Sequence, residues 1–450
     1  MRRSVGYAVM LLLAGALGCK RGAPPPSADP PPVTLASADA GAAAANAGSG
    51  AIFSLPIAAA RVAGANPRSG DDVIAVGLVV ATRAVTAARI DASGRPAWTR
   101  AAIAETTWSP DAELHAWPIT AGAAVVWRGP VGKKSGHLAV VLTPEGRVAD
   151  GPFDVGSFVC ATDEGLAWSE GAAKGATRIH LRTYPSAGSP HDDLGPPMMD
   201  DFTLTCGAHQ AYAVVEGDEA TPAKVYRIGG VTAAAALPAP FATIPPLALG
   251  RDEERDLFPW AEGDELGLVR VSNGGEVQAA TVHAGGFELL HADKARVTPE
   301  DDVVGVDADP RQVALVTTHD ESDACPNGRG GASVHVLRVP RQGGGSATSL
   351  RIAPSACGRD VGPFWTNTLG RSLLVSWAER ASRPEKTSPP ITGLAFRALD
   401  EGATTVRIAQ AADALADAGC NETHCYAVAL VRETGADGMK PDAMKILAYP

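Results

Sequence analysis

The chain has 450 residues, 45% of them hydrophobic, and a formal net charge of -11. That balance argues against nucleic acid or an anionic lipid surface as the main partner, since both reward basic patches. With 49 glycines and 35 prolines, the composition favours many short strands joined by turns over long helices.

The chain opens with a short positive region, Arg2 and Arg3, followed by an apolar run over residues 5–17. That run is too short for a stable membrane span and has the length of a signal-peptide core. It ends on Ala16-Leu17-Gly18-Cys19, which resembles the lipobox of bacterial lipoproteins, with Ala16 standing where that family prefers leucine. The resemblance implies a signal peptide over residues 1–18 and a lipidated Cys19 that becomes the mature N-terminus. Two or three acyl chains, palmitate among them, anchor a protein without a spanning helix. Lys20 stands where some bacteria place an aspartate for inner-membrane retention, so the resemblance points to the outer membrane.

Residues 20–50 are almost all Ala, Pro, Gly, Ser and Asp. Such a segment buries too little apolar surface to offset its ordering entropy and reads as a disordered tether. As a flexible coil it spans about 30 Å. The expected organisation is therefore a signal peptide at 1–18, a lipidated cysteine and tether at 19–50, and one domain at 51–450.

Within that domain short apolar stretches recur, beginning at Val73, Gly122, Glu164, Gln210, Glu265, Gln312, Ser372 and His424. Aligned on the position of Trp127, Trp168 and Trp377, the first and last units sit at Val80 and Val431, seven intervals apart. The period is about 50 residues, the range of β-propeller repeats with several strands per unit. A glycine-bearing turn follows each unit but the last, as in the segment ending at Gly146 or the one around Gly285; glycine reaches positive φ without cost. The reading is an all-β β-propeller of about eight four-stranded blades, with seven as the alternative. The final unit stops at Pro450 without an outermost strand, and the apolar segment 52–60 (IFSLPIAAA) is expected to complete that last blade, removing an exposed sheet edge.

The tract Asp91-Ala92-Ser93-Gly94-Arg95-Pro96-Ala97-Trp98 resembles the quinoprotein-type propeller repeat. It is one residue shorter and occurs once, so it implies a propeller and no quinone; no cofactor is expected. Eight-bladed lipoproteins that serve as scaffolds in outer-membrane protein assembly have a similar architecture, and no motif here identifies that family.

Six cysteines besides Cys19 form an even set in a chain bound for an oxidising compartment, where disulfides are the default. Cys160 and Cys206 occupy matching places on adjacent units, Cys420 and Cys425 flank a turn, and Cys325 lies in a long loop with Cys357 in the following link. These placements pair Cys160 with Cys206, Cys325 with Cys357 and Cys420 with Cys425; the alternative is that some remain free and buried. No CxxC or zinc-type spacing occurs, and no metal site is expected.

Candidate chemistry is sparse. His180 and His335 match in register but belong to different units and read as strand-surface histidines. The acidic segments 191–201 and 319–328 offer oxygen ligands without the alternating Asp spacing of a calcium loop. Nothing matches GxSxG, a Walker loop or HExxH, so no catalytic residue is assigned. Trp127, Trp168 and Trp377 are expected to pack between blades. Two functions follow: a membrane-tethered, extracytoplasmic binding or scaffold module in the periplasm or at the outer membrane, for protein or glycan partners and not nucleic acid; or a hydrolase or lyase acting on envelope polymers at the mouth of a propeller channel.

Overall fold

The computed structural model describes residues 57–449 apart from a set of connecting stretches, the longest of which are 230–241, 432–442 and 245–254. The expected signal peptide, Cys19, the tether and most of the tract from Asp91 to Trp98 lie outside the described residues.

The chain is all-β. Among the described residues it forms eight antiparallel sheets, seven of four strands and one of three, in which strands pair in chain order. Sheet 1 spans residues 57–105. Sheet 2 comprises Leu114–Ile119, Gly122–Val131, Lys134–Leu142 and Val148–Val155. Sheet 3 comprises Val159–Ala161, Gly165–Gly171, Thr177–Thr183 and His191–Leu194. Sheet 4 comprises Phe202–Cys206, Ala211–Val215, Ala223–Ile228 and Ala242–Ile244. Sheet 5 spans 255–290. Sheet 6 comprises Asp302–Ala308, Gln312–Asp320, Ala332–Pro340 and Thr348–Ala353. Sheets 7 and 8 span 359–412 and 414–449.

All eight apolar stretches of the sequence are second strands. They are near-continuous in hydrophobicity because each lies inside its sheet with both faces covered: Ala211–Val215 and the Gly165–Ser169 part of its counterpart in sheet 3 are buried throughout. The covering comes from neighbouring sheets. A separate apolar core fills each space between consecutive sheets, from Val76, Val85 and Trp127 between sheets 1 and 2 to Leu394, Phe396 and Ala427 between sheets 7 and 8. Trp127, Trp168 and Trp377 all belong to these cores, at 0–3% exposure. Their task is packing, and the indole nitrogens of Trp127 and Trp377 are buried without a hydrogen-bond partner.

Adjacent sheets are also tied through their turns. The turns between first and second strands hydrogen-bond in sequence, Thr120 N–H to Asp163 O, Asp163 N–H to Ala208 O at 2.7 Å, and Ala208 N–H to Gly263 O at 2.6 Å. Gly122, at φ +137°, opens one second strand where a Cβ would run into the carbonyl oxygen of Leu142, so only glycine fits that approach. First strands touch one another from sheet to sheet along the chain, and Ile57–Ala63 touches both Leu114–Ile119 and Ala414–Cys420.

One expectation is corrected. The N-terminal apolar segment does not complete the last sheet: Ile57–Ala63 pairs antiparallel with Val73–Val79 as the first strand of sheet 1. Every apolar repeat is a second strand and needs a first strand before it; the unit at Val73 takes its own from this segment. Sheet 8 holds three strands among the described residues.

Three disulfides are present. Cys160–Cys206 joins the first strands of sheets 3 and 4 with Cα atoms 5.8 Å apart. Cys325–Cys357 ties the loop after Asp320 to the link between sheets 6 and 7, at 5.3 Å. Cys420–Cys425, at 4.0 Å, bridges directly opposed residues of the first hairpin of sheet 8.

Candidate functional site: an aromatic cavity and a polar cluster

Cross-strand partners share a face of their sheet, and residues two apart along a strand do so as well. This rule places the chemistry. In sheet 2, His115 opposes Val126, which opposes Ala139, and two residues further along Arg128 opposes His137. His115, Val126, Arg128 and His137 therefore line one face, the one whose inner part, Ala124, Val126 and Val141, packs on Leu166 and Trp168 of sheet 3.

At the end where first strands begin, that packing gives way to a cavity of about 420 Å³. It is lined by His115, Val126 and His137 of sheet 2, Phe158 and Val159 of sheet 3, and Thr203 and Leu204 of sheet 4. Phe158 is 52% exposed, an unusual position for a large apolar side chain, and its ring is braced against Phe202 with centroids 5.7 Å apart. On the opposite wall, His115 stacks on Trp117 at 5.4 Å with the rings 9° from parallel. The Cys160–Cys206 bond lies in the same pair of first strands that carry Val159 and Thr203 and fixes their separation.

The second concentration of polar groups lies on sheet 6. Thr317 opposes His335 and His319 opposes Ser333, so these four share a face with Arg351, the next partner of His335. Asp301, just before the first strand and 3% exposed at its side chain, accepts from His319 Nδ1 at 2.8 Å and from Thr317 Oγ1 at 3.1 Å. Glu321 accepts from Ser333 Oγ, Ser355 Oγ and Arg351, each at 2.6 Å. Those two hydroxyls and the guanidinium hold the Glu321 carboxyl at about 2, well below the usual range. Burial holds the His335 imidazole below its ordinary value, with Arg351 and His319 adding to the effect.

This arrangement contains serine, histidine and carboxylates without forming a nucleophilic triad. An activated serine gives its proton to a base. Here Ser333 is fully buried, its hydrogen goes to Glu321, and its oxygen lies 3.0 Å from His335 Nε2, which must then be the donor. The Ser333 and Glu321 part anchors the loop that Cys325–Cys357 closes. The Asp301–His319 pair differs, since a buried carboxylate orients an imidazole that is about one-quarter exposed.

His180 does not join His335. It sits in sheet 3, stacked on Trp168 at 4.2 Å, with Nδ1 3.2 Å from Glu170 and Nε2 2.8 Å from Asp192. Asp192 also takes two hydrogen bonds from Arg182, whose third donor reaches Asp150 of sheet 2 at 3.2 Å; Tyr184 O–H donates to the same Asp150 oxygen at 2.9 Å. The Arg182 hydrogen bonds lower the Asp192 carboxyl. The matched register of His180 and His335 is thus real: both stand on third strands, opposite the position of Trp168 and Thr317. They serve different clusters. The two acidic segments likewise separate: Asp192 belongs to the Arg182 network, while Asp320 accepts from the Ser322 N–H at 2.8 Å. Among the described residues no three His, Cys, Asp or Glu side chains are placed so that they could hold a metal ion.

Sequence reasoning missed His115, His137, Phe158, Asp301 and Arg182. A strand-by-strand register would have put His115 and His137 on one face; Asp301 and Phe158 lie in links, which carry no periodicity.

No family model matches the chain, and no curated protein matches it. Among solved structures it is similar to a prolyl endopeptidase (14% identity, TM-score 0.46, covering 86% of this chain and 55% of that one). It is also similar to prolyl oligopeptidase B from Galerina marginata (10%, 0.42, 71% and 47%) and to Hsv2 from Kluyveromyces lactis (10%, 0.41, 78% and 98%). The chain spans about half the length of the two peptidases. At these identities and TM-scores the likenesses carry nothing about activity.

Proposed function

We propose that this chain is a lipid-anchored, extracytoplasmic binding module: an eight-bladed β-propeller, held through acylated Cys19 and the tether of residues 20–50, that captures a protein or glycan partner of the cell envelope. The observation that carries the binding role is the cavity shared by three consecutive sheets, with the exposed Phe158 ring at its rim. Ligand sites are concave, mostly apolar and supplied with a few convergent polar groups, and interface anchors are commonly aromatic. The propeller reading is supported by the eight chain-ordered sheets and by the contacts of Ile57–Ala63 with both the second and the last sheet. Three disulfides favour an oxidising compartment. The outer membrane is the proposed site of anchoring, from Lys20 after the cysteine.

Two experiments test it. Cys19→Ser should abolish incorporation of radioactive fatty acid; equal labelling of the variant would overturn the anchor. A partner retained from envelope extract by the wild type should be lost from Phe158→Ala, since truncating an interface anchor costs about 2 kcal/mol or more.

A second reading, an envelope-polymer hydrolase, is favoured by one observation, the Asp301–His319 pair. A carboxylate that orients a partly exposed imidazole is the arrangement of a general base. Turnover of envelope glycans or peptides that Asp301→Asn lowers by about 10²-fold or more would replace the binding module with this reading.

A further inference from the structure

We infer that a small pocket between sheets 6 and 7 binds the carboxylate of an aliphatic acid, with Arg338 as its counter-ion. The site is separate from the cavity of sheets 2 to 4, and the inference stands or falls without it.

Strand register puts the arginine there. Arg338 opposes Ala314 on the second strand of sheet 6 and Thr348 on the fourth, and Gln312 opposes Pro340. These residues share a face. It is the face whose Ala314 and Val336 pack on Leu373 and Leu399 of sheet 7. The core ends where the second strand of sheet 6 begins, and a pocket of about 250 Å³ opens beside it. Its walls include Arg338, Pro340, Ser346 and Thr348 from sheet 6 and Leu399 and Asp400 from sheet 7.

A guanidinium carries five N–H donors. Arg338 Nε gives one to Thr348 Oγ1 at 3.2 Å, and Nη1 gives one to the carbonyl oxygen of Leu399 at 3.1 Å. The plane of the fork is thus held from both sheets, and the donors left over lie at its Nη1 and Nη2 end. Among the described residues no carboxylate pairs with Arg338. Nearby arginines differ: Arg311 pairs with Asp400 at 2.6 Å, and Arg341 with Glu262 at 3.0 Å and Glu265 at 2.8 Å. Asp400 lines the same pocket but gives its charge to Arg311, so the charge of Arg338 stays unmatched.

A carboxylate meets the end of such a fork with two parallel N–H···O bonds, and hydrogen bonds to an ionised acceptor are roughly twice as strong as neutral ones. The rest of the ligand is set by size and by the apolar wall. The pocket is smaller than sites that enclose drug-sized ligands, so it takes one acid group with a few carbons. Pro340 and Leu399 supply the surface those carbons cover.

The test follows saturation transfer by NMR from the full-length protein to isovalerate and, separately, to isovaleramide, which has the same carbons and no charge. Saturable binding of isovalerate at millimolar concentration is expected, with isovaleramide weaker by about tenfold or more, the loss of a charge-assisted pair. Arg338→Gln should weaken isovalerate by about tenfold and leave isovaleramide nearly unchanged, and Arg338→Lys should recover part of the loss. Ser346→Glu changes an exposed residue and leaves Arg338 in place. Its carboxylate, tethered in the pocket wall, should compete with isovalerate and weaken it as well, which keeps the test decisive if the Arg338 variants do not fold. N-acetylglycylleucine reads the source of the acid: binding tighter than isovalerate assigns the carboxylate to a peptide C-terminus, and weaker binding assigns it to a free acid, the carboxylate standing in both cases. Equal binding of acid and amide, isovalerate binding unchanged by both Arg338→Gln and Ser346→Glu, or inorganic phosphate displacing isovalerate at a lower concentration than acetate does, overturns the inference.

Discussion

The imidazole of His180 stacks on the indole of Trp168, 4.2 Å between ring centroids with the planes 26° apart, and has a carboxylate at each of its nitrogens. The stack continues to Arg182, whose guanidinium carbon is 4.8 Å from the Phe153 ring centroid and 6.0 Å from that of Trp168. Phe153 and Asp150 come from sheet 2 and the rest from sheet 3. One arginine thus joins two sheets by ring stacking and by three hydrogen bonds to two carboxylates.

Arg182→Ala should therefore destabilise the fold by about 2 kcal/mol, measured as the shift in the urea midpoint, because it removes a planar fork that is only partly solvent-exposed. Arg182→Lys should recover part of this and not all, since an ammonium restores charge without the two-pronged geometry or the stacking. Identical stability of the alanine variant and the wild type would remove this network from the forces that join the sheets.

Asp307 gives the fold a pH dependence. Its carboxyl, beside Thr366 and accepting from the Ala308 N–H, is pushed up to about 6 chiefly by burial, from an ordinary value of 3.8. Between those values the folded state holds a proton that the unfolded chain has lost, so stability falls as pH rises from about 4 to about 6 and the cost is complete above that. Asp307→Asn keeps an oxygen for the Ala308 N–H and removes the charge. It should flatten this slope in denaturant titrations and stabilise the protein at neutral pH by about 2 kcal/mol, with part of the residue still reachable by water.

Glu321 acts with the opposite sign. Its folded value of about 2 lies below the ordinary 4.5, so its stabilisation is fully present above the ordinary value and is lost as pH falls toward 2. Glu321→Gln should cost about 1 kcal/mol, a modest sum because water screens a side chain that is one-quarter exposed. The loop closed by Cys325–Cys357 should become more sensitive to limited proteolysis in the variant. An unchanged cleavage pattern would show that the disulfide alone holds that loop.

The three disulfides should differ in worth. Chain-entropy estimates scale with the loop closed: about 4 kcal/mol for the 46-residue separation of Cys160–Cys206, and about 2 kcal/mol for the 5-residue separation of Cys420–Cys425. Replacing both members of the first pair by serine should lower the urea midpoint more than the same change in the second. Non-reducing peptide mapping of exported protein should recover all three bonds.

The sequence by itself determined the all-β class, the eight second strands and the placement of the cysteines. Each of these is local or periodic. A stretch such as that at Ala211–Val215 is apolar on both faces because any sheet stacked between two others must be, whichever neighbours it has. Cys160 and Cys206 recur at the same phase of successive units, and equal phase means equal depth in adjacent sheets. Tertiary structure decided what no period records. Ile57–Ala63 has the same apolar character whether it opens the first sheet or closes the last, and only packing against Val73–Val79 settles which. Asp301 reaches His319, and Phe158 reaches the cavity that His115 and His137 begin, from links between sheets, where no alternation marks a face. Alternation tells which side of a sheet a residue takes; the partner it meets there comes from the next sheet, tens of residues away, and is fixed by how the sheets stack.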